Sequence, residues 1–95
     1  MAAIWIHLVG ILQYETGKTK LKLNIDAPIT VSTMITQLAS HFKLKKRYLH
    51  NLDPGSLKQT TLILVNGKDI TVLDGLESKL KNEDVVTIVP FSHGG

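Results

Sequence analysis

Two stretches of alternating residues near the start of the chain predict a β-hairpin. Positions 4, 6 and 8 are Ile, Ile and Leu, and apolar residues alternate with polar ones again from Lys20 to Ile25. A period of two over two short segments, joined by a polar tip at 13–18, is typical of antiparallel strands. Trp5 and Val9 share the face opposite the three apolar positions, so the first strand is expected in the interior of the sheet.

The period changes after Pro28 and predicts a helix. Apolar residues now recur at spacings of three, one, three and four, which place them on one side of a helix. They are Val31, Met34, Ile35, Leu38 and Phe42. Thr30 or Ser32 is expected to cap the first turn by accepting a backbone N–H bond. One amphipathic helix is therefore predicted across one face of the sheet.

The second half of the chain predicts shorter elements. Residues 61–65 form an apolar run rich in β-branched side chains that ends at Asn66–Gly67, a pair that favours a tight reversal. Residues 70–73 are expected to return as a short strand. Leu76 and Leu80, four positions apart, predict one or two helical turns before the last strand.

The last strand, Val85–Val89, has little alternation, so it is expected in the middle of the sheet and buried on both faces. Pairing should end at Pro90, which has no N–H to donate. A final central strand after a hairpin and one helix runs parallel to the first strand. The prediction is an α+β, β-grasp (ubiquitin-like) domain over 1–95, with a mixed four- to five-stranded sheet on one main helix and a flexible tail from about residue 90.

Composition excludes several kinds of chemistry. A chain of 95 residues without cysteine has no disulfide, no thiolate metal site and no cysteine nucleophile. No nucleophile elbow and no phosphate-binding glycine motif is present, so no catalytic residue is proposed and an enzyme is not expected. His41 and His50 lack neighbouring ligands, so no metal site is expected either.

Charge and hydropathy give weaker guidance. Most of the net charge of +3 lies in the run from Lys43 to Arg47. Such a run is usually a solvated surface, and the alternative is that Lys45, Lys46 and Arg47 contact phosphates or an acidic partner. Nucleic acid is disfavoured because few aromatic residues are free to stack on bases. No membrane-spanning run or secretory signal is visible, so a cytoplasmic location without membrane contact is expected.

The sequence ends in His93-Gly94-Gly95, directly after the predicted core strand. Two glycines can thread a narrow channel in a partner and present the carboxylate of Gly95 to a reagent. The alternative is an idle, frayed terminus. The diglycine is nevertheless the best candidate for the working end of the molecule.

The order of elements along the whole chain, with a motif concentrated from Val65 onward, resembles the ubiquitin-like sulfur carriers MoaD and ThiS and the ubiquitin-related modifiers. The resemblance is carried by the segments 65–70, 79–80 and 84–90 and by the terminal Gly94–Gly95. It implies a carrier that binds no cofactor itself, whose Gly95 is adenylated by a ubiquitin-activating-type enzyme that consumes ATP. A sulfur donor or sulfurtransferase would then convert Gly95 to a thiocarboxylate.

Three functions stay open from the sequence. The first is a sulfur carrier for cofactor synthesis or tRNA thiolation, and the second is a modifier that joins Gly95 to target-protein lysines. The third is a simple binding module with an idle tail. In the first two, Gly94 and His93 would thread the partner, and Trp5, Phe91 and the basic residues Lys45, Lys46 and Arg47 are candidates for the surface that the partner contacts.

Overall fold

The computed structural model describes residues 2–42 and 61–90, which form a five-stranded mixed sheet crossed on one face by a helix of twelve residues. In chain order the elements are β1 (Ala2–Leu8), α1 (Ile11–Thr16), β2 (Lys20–Ile25), β3 (Ile29–Thr30), α2 (Val31–Phe42), β4 (Thr61–Val65), β5 (Lys68–Asp69), 3₁₀ turns at Ile70–Val72 and Gly75–Glu77, β6 (Lys79–Leu80) and β7 (Val85–Pro90).

The strand order in the main sheet is β2-β1-β7-β4-β5. The last strand β7 lies between β1 and β4, parallel to the first and antiparallel to the second. Strand β1 therefore lies in the interior of the sheet, as its pattern predicts. A second sheet of two short strands, β3 and β6, was not predicted. The parallel β1–β7 pair, the antiparallel hairpin and the single crossing helix confirm the β-grasp prediction.

The hairpin connection differs from the polar tip expected at 13–18. It contains the short helix α1, held between Gly10 and Gly17, whose φ angles of 68° and 71° turn the chain sharply at both ends. The side chain of Leu12 is fully buried and anchors α1 to the core. Six residues are too few for a helical period to stand out, so tertiary burial of Leu12 decides the structure here.

Helix α2 supplies one side of the core. The predicted apolar positions Val31, Met34, Ile35 and Leu38 are at most 1% exposed. The side chain of Phe42 lies outside the described part of the structure. The facing residues of the sheet that are also buried are Ile4, Ile6, Leu8, Ile25, Ile63, Val65, Val86 and Ile88. The alternation of the strands and the period of the helix therefore define one common core.

Hydroxyl capping fixes the start of α2. The Thr30 Oγ1 accepts the backbone N–H of Thr33 at 3.1 Å. This confirms Thr30, of the two predicted candidates, as the capping residue.

The segment between β4 and β7 departs from the predicted strand and helix. The expected strand at 70–73 is wrong, because the chain pairs only at Lys68–Asp69 and then enters a 3₁₀ turn. The Asp69 Oδ1 accepts the backbone N–H of Thr71 at 2.9 Å and so starts that turn. Leu76 lies in the second 3₁₀ turn, whereas Leu80 is buried in β6, so the two leucines do not share a helix.

Strand β7 occupies the predicted central position, but it is not buried on both faces. Val86 and Ile88 are fully buried under α2, whereas Val85, Thr87 and Val89 are half-buried on the opposite face. The run of β-branched residues hides the alternation, because valine serves on either face of a strand. One face of the central strand is therefore partly accessible.

Candidate partner-binding face and the root of the tail

The strand that precedes the tail, β7, is paired on both sides along most of its length. At the start of β7 the Trp5 N–H donates to the Asp84 carbonyl at 2.9 Å, and beyond β1 the Val9 N–H donates to the Ile88 carbonyl at 3.2 Å. On the other side Pro90 is paired with Thr61 of β4. The chain therefore leaves the folded body from a fixed point, because β7 cannot shift without breaking two ladders.

A side-chain pair fixes the entrance to β7. The Asn66 Nδ2 donates to the Asp84 Oδ1 at 3.0 Å, and the Asn66 Oδ1 accepts the Val85 N–H at 2.9 Å. The second carboxylate oxygen of Asp84 accepts the Lys81 N–H at 2.9 Å. Both side-chain polar atoms of Asn66 and both carboxylate oxygens of Asp84 therefore have hydrogen-bond partners. Asp84 needs them because it is only 6% exposed.

This Asn66–Asp84 pair joins the β4–β5 turn to the loop before β7. Asn66 and Gly67 have φ angles of 51° and 83°, as a tight hairpin turn requires. A slip of β7 by one residue would turn its buried valine and isoleucine to solvent. The pair therefore helps to set both the register of β7 and the number of residues beyond the sheet. It also gives a structural reason for segments 65–70 and 84–90, which carry the sequence resemblance.

The face of the sheet opposite α2, here called the outer sheet face, is partly apolar. It carries every second residue of the four longer strands, as their registers require. The members are Ala3, Trp5 and His7 of β1, Lys20, Lys22 and Asn24 of β2, Leu62 and Leu64 of β4, and Val85, Thr87 and Val89 of β7. Leu62 and Leu64 are half-buried, like the three residues of β7.

Trp5 is the largest exposed side chain on this face, at 39% exposure. Two ammonium groups lie over its ring, with the Nζ atoms of Lys20 and Lys22 each 5.9 Å from the ring centroid. Lys22 is the cross-strand partner of Trp5, and Lys20 is the partner of the neighbouring His7. Such contacts contribute about 0.5–1 kcal/mol each at exposed sites, so they orient the ring without burying it.

Trp5 and the last residue of β7 lie at opposite ends of that strand. Trp5 is level with Val85 at the start of β7, and Pro90 follows five residues later. At roughly 3.3 Å per residue, the exit point is about 16 Å from Trp5 along the strand direction. Fully extended, the residues from Pro90 to Gly95 would add at most about 20 Å.

Of the residues predicted for the site, the structure places Trp5. The tail residues Phe91, His93, Gly94 and Gly95 and the basic residues Lys45, Lys46 and Arg47 lie outside the described residues. Sequence analysis missed Lys20 and Lys22 as neighbours of Trp5. Their alternation with buried leucines was visible, but the register that brings them to Trp5 depends on the helix inside the hairpin connection.

The described residues were also compared with the requirements of a metal site and of a membrane-spanning helix. No group of three or more His, Asp or Glu side chains in 2–42 and 61–90 is arranged to hold a metal ion. No helix among the described residues is long and apolar enough to cross a membrane. His41, one of the two histidines considered as ligands, lies in α2, and His50 falls outside the described residues.

Sequence and structure comparisons agree on one group of proteins. The model of the ThiS family matches residues 6–95, a match that spans the sheet, α2 and the terminal diglycine. No curated protein sequence gives a significant match.

Solved structures with the same fold match at least 97% of this chain. Small archaeal modifier protein 1 from Methanosarcina acetivorans is 27% identical, with 100% of this chain and 98% of that chain covered and a TM-score of 0.74. Urm1 from Trypanosoma brucei is 24% identical, with coverages of 98% and 95% and a TM-score of 0.77. CysO in the BexX/CysO complex of Amycolatopsis orientalis is 24% identical, with coverages of 97% and 99% and a TM-score of 0.70.

Proposed function

Because this chain belongs to the ThiS family, we propose that it is a cytoplasmic ubiquitin-like sulfur carrier whose Gly95 is activated by adenylation. The observation that carries the proposal is the family match through residue 95, which joins the β-grasp body to the diglycine in one pattern. The protein acts as a substrate of other enzymes and binds no cofactor. Its folded domain is the part that the enzymes recognise, and the carboxylate of Gly95 is the part that reacts.

The chemistry proposed for Gly95 begins with its carboxylate. In the active site of a ubiquitin-activating-type enzyme, a carboxylate oxygen attacks the α-phosphorus of ATP, and pyrophosphate leaves. The product is an acyl adenylate, in which the Gly95 carbonyl is electrophilic. A persulfide sulfur from a sulfurtransferase then attacks that carbonyl, and AMP leaves. One thiol then attacks the donor sulfur of the resulting acyl disulfide and releases the thiocarboxylate. A second thiol frees the donor as a thiol, so that the two reducing thiols leave as a disulfide.

The folded body supports this role by separating recognition from chemistry. Strand β7 is paired with β1 up to Ile88 and with β4 up to Pro90, so binding of the body would determine where the tail enters the partner. Gly94 and Gly95 carry no side chains, which suits passage through a narrow channel. The absence of cysteine in the whole sequence means that no internal thiol competes for the activated acyl group.

An ATP–pyrophosphate exchange assay with the adenylating enzyme from the same genome tests the activation step. The full chain is expected to support exchange, whereas a chain that lacks Gly95 should not, because its carboxylate ends about 3.5 Å short of the reaction centre. Lys79→Ala, a change at an exposed residue of β6, is the matched control and should support normal exchange. Undiminished exchange by the Gly95-deleted chain would show that the tail is not the site of activation.

A second function, conjugation of Gly95 to target lysines, is favoured by the 27% identity with small archaeal modifier protein 1. Both functions need the acyl adenylate, so exchange does not separate them. The tail has no Lys or Arg after Lys81, and trypsin would leave residues 82–95 on each modified lysine. Two observations together would favour the modifier function over the carrier function. They are that remnant on many unrelated proteins, and normal levels of sulfur-containing cofactors and thiolated tRNA in a deletion strain.

A further inference from the structure

The exposed ring of Trp5 and the two ammonium groups beside it form a small surface that is both apolar and cationic. We propose that this Trp5–Lys20–Lys22 cluster is the docking site for a protein surface that presents carboxylates around an apolar side chain. The inference rests on the proposed function in one respect only, which is that the partner used to test it is the adenylating enzyme.

The lysines of the cluster are set up to receive anions. They lie two positions apart on β2, which separates them by about 7 Å along the strand. Within residues 2–42 and 61–90, neither forms an ion pair with a carboxylate, and their contacts are with the ring of Trp5. Incoming carboxylates would relieve the repulsion between the two cations and form charge-assisted hydrogen bonds, while an apolar side chain covers the indole.

The charges on the outer sheet face are distributed unevenly. Lys20 and Lys22 lie at the β2 edge, and the centre is apolar apart from His7 and Thr87. Asp69, level with Leu64 at the opposite edge, already accepts hydrogen bonds from the N–H and hydroxyl of Thr71. A partner is therefore expected to turn its acidic side towards β2.

The cluster favours a contact on the face of the sheet over a strand added at its edge. Strand β2 is an edge strand, and lysines on an edge strand oppose the addition of another strand. Single-stranded RNA is a poorer occupant, because such binding uses several aromatic side chains in succession. Trp5 is the only Trp, Tyr or Phe that the strand registers place on the described part of the outer sheet face.

Charge reversal with a matched control tests the docking site. The variant Lys20→Glu/Lys22→Glu is expected to raise the KM of the adenylating enzyme for this protein on the order of tenfold, with kcat unchanged, because Gly95 is intact. Added salt should raise the wild-type KM and change that of the variant much less. Lys79→Glu reverses one charge on the separate β3–β6 sheet, half of the change made in the double variant, and should leave both constants unchanged.

The ring provides its own probe, because Trp5 is the only tryptophan in the sequence. Iodide should quench its fluorescence more strongly than caesium does, and the preference should disappear in Lys20→Glu/Lys22→Glu. Saturating adenylating enzyme should protect the ring from both quenchers. Trp5→Ala is expected to weaken binding of the enzyme more than it lowers thermal stability, because the ring is 39% exposed.

The outcomes separate this inference from the proposed function. Loss of exchange on deletion of Gly95, together with an unchanged KM in Lys20→Glu/Lys22→Glu, would retain the function and overturn the docking site. Equal quenching by iodide and caesium would overturn it without any partner. Protection of Trp5 by an RNA oligonucleotide at lower concentration than by the enzyme would assign the cluster to nucleic acid instead. A large loss of stability in Trp5→Ala with unchanged affinity would make the ring a packing residue.

Discussion

Replacing Asn66 by Asp is expected to set two carboxylates against each other at the entrance to β7. The Asn66 Nδ2 now donates to the Asp84 Oδ1 at 3.0 Å, and the substitution puts an oxygen in place of that nitrogen. The backbone is little affected, because Asp tolerates the left-handed conformation that Asn66 adopts with φ 51°. The change therefore tests the side-chain pair with little effect on the turn.

The expected loss is large for an exposed position. A hydrogen bond to a charged group contributes about 1.5–3 kcal/mol. Two unit charges 3.0 Å apart repel each other by roughly 1–5 kcal/mol between the dielectric constant of water and that near a protein surface. Asn66 is exposed, so water and side-chain rotation relieve much of the repulsion. We expect Asn66→Asp to lower the free energy of unfolding by about 3 kcal/mol, which corresponds to roughly 10–25 °C in Tm.

Exchanging the two residues should restore the pair. In Asn66→Asp/Asp84→Asn the amide at 84 donates to the carboxylate at 66. The remaining oxygens still accept the Lys81 and Val85 N–H groups. Asp84→Asn alone should cost about 1–2 kcal/mol, because one amide oxygen cannot accept both donors that now face Asp84. The exchanged variant should lie within about 1 kcal/mol of the wild type, a favourable coupling of about 3–5 kcal/mol.

Urea unfolding followed by far-ultraviolet circular dichroism measures all four free energies. Asp74→Asn is the control for loss of one carboxylate, because Asp74 is exposed and its side chain makes no capping bond. It should change stability by less than about 0.5 kcal/mol. If the exchanged variant loses as much free energy of unfolding as the sum of the two single losses, the Asn66–Asp84 pair does not hold the entrance to β7.

Three further changes test the fold itself in the same unfolding assay. Ile35→Ala should cost about 2–5 kcal/mol because the side chain is fully buried, whereas the exposed neighbour Thr36→Ala should cost under about 1 kcal/mol; equal losses would contradict the packing of α2. Thr30→Ala should cost about 1 kcal/mol through the lost bond to the Thr33 N–H, and Thr30→Ser should retain most of it. Gly67→Ala should cost about 1–2 kcal/mol from the φ of 83° alone, since nothing lies within 4 Å of the added Cβ; no loss would mean that the turn relaxes.

The elements predicted correctly are those with a repeated pattern. Residues 4–8 and 20–25 each carry three apolar positions at a spacing of two, and α2 carries four buried positions at helical spacing. The parallel β1–β7 pair followed from element order together with the apolar run of β7. These features were readable because burial is their common cause and leaves a period in the sequence.

The elements that were missed are fixed by single contacts. Helix α1 depends on the burial of Leu12, and the 3₁₀ turn after β5 depends on the Asp69 carboxylate. Neither contact leaves a period. The same reason applies to the candidate site. The alternation of β1 predicts the face on which Trp5 lies, but identifying Lys20 and Lys22 as its neighbours requires the register of the hairpin. The Asn66–Asp84 pair joins residues 18 positions apart and could not be read from either segment alone.

The mass of the intact protein isolated from its own host tests the central claim most directly. If Gly95 is activated and receives sulfur, a fraction of the molecules should be heavier by the exchange of one oxygen for one sulfur. Fragmentation should place that change on Gly95, and the species should disappear when the adenylating enzyme is deleted. A population in which every molecule carries an ordinary carboxylate on Gly95, from cells whose adenylating enzyme and sulfur donor are active, would contradict the account.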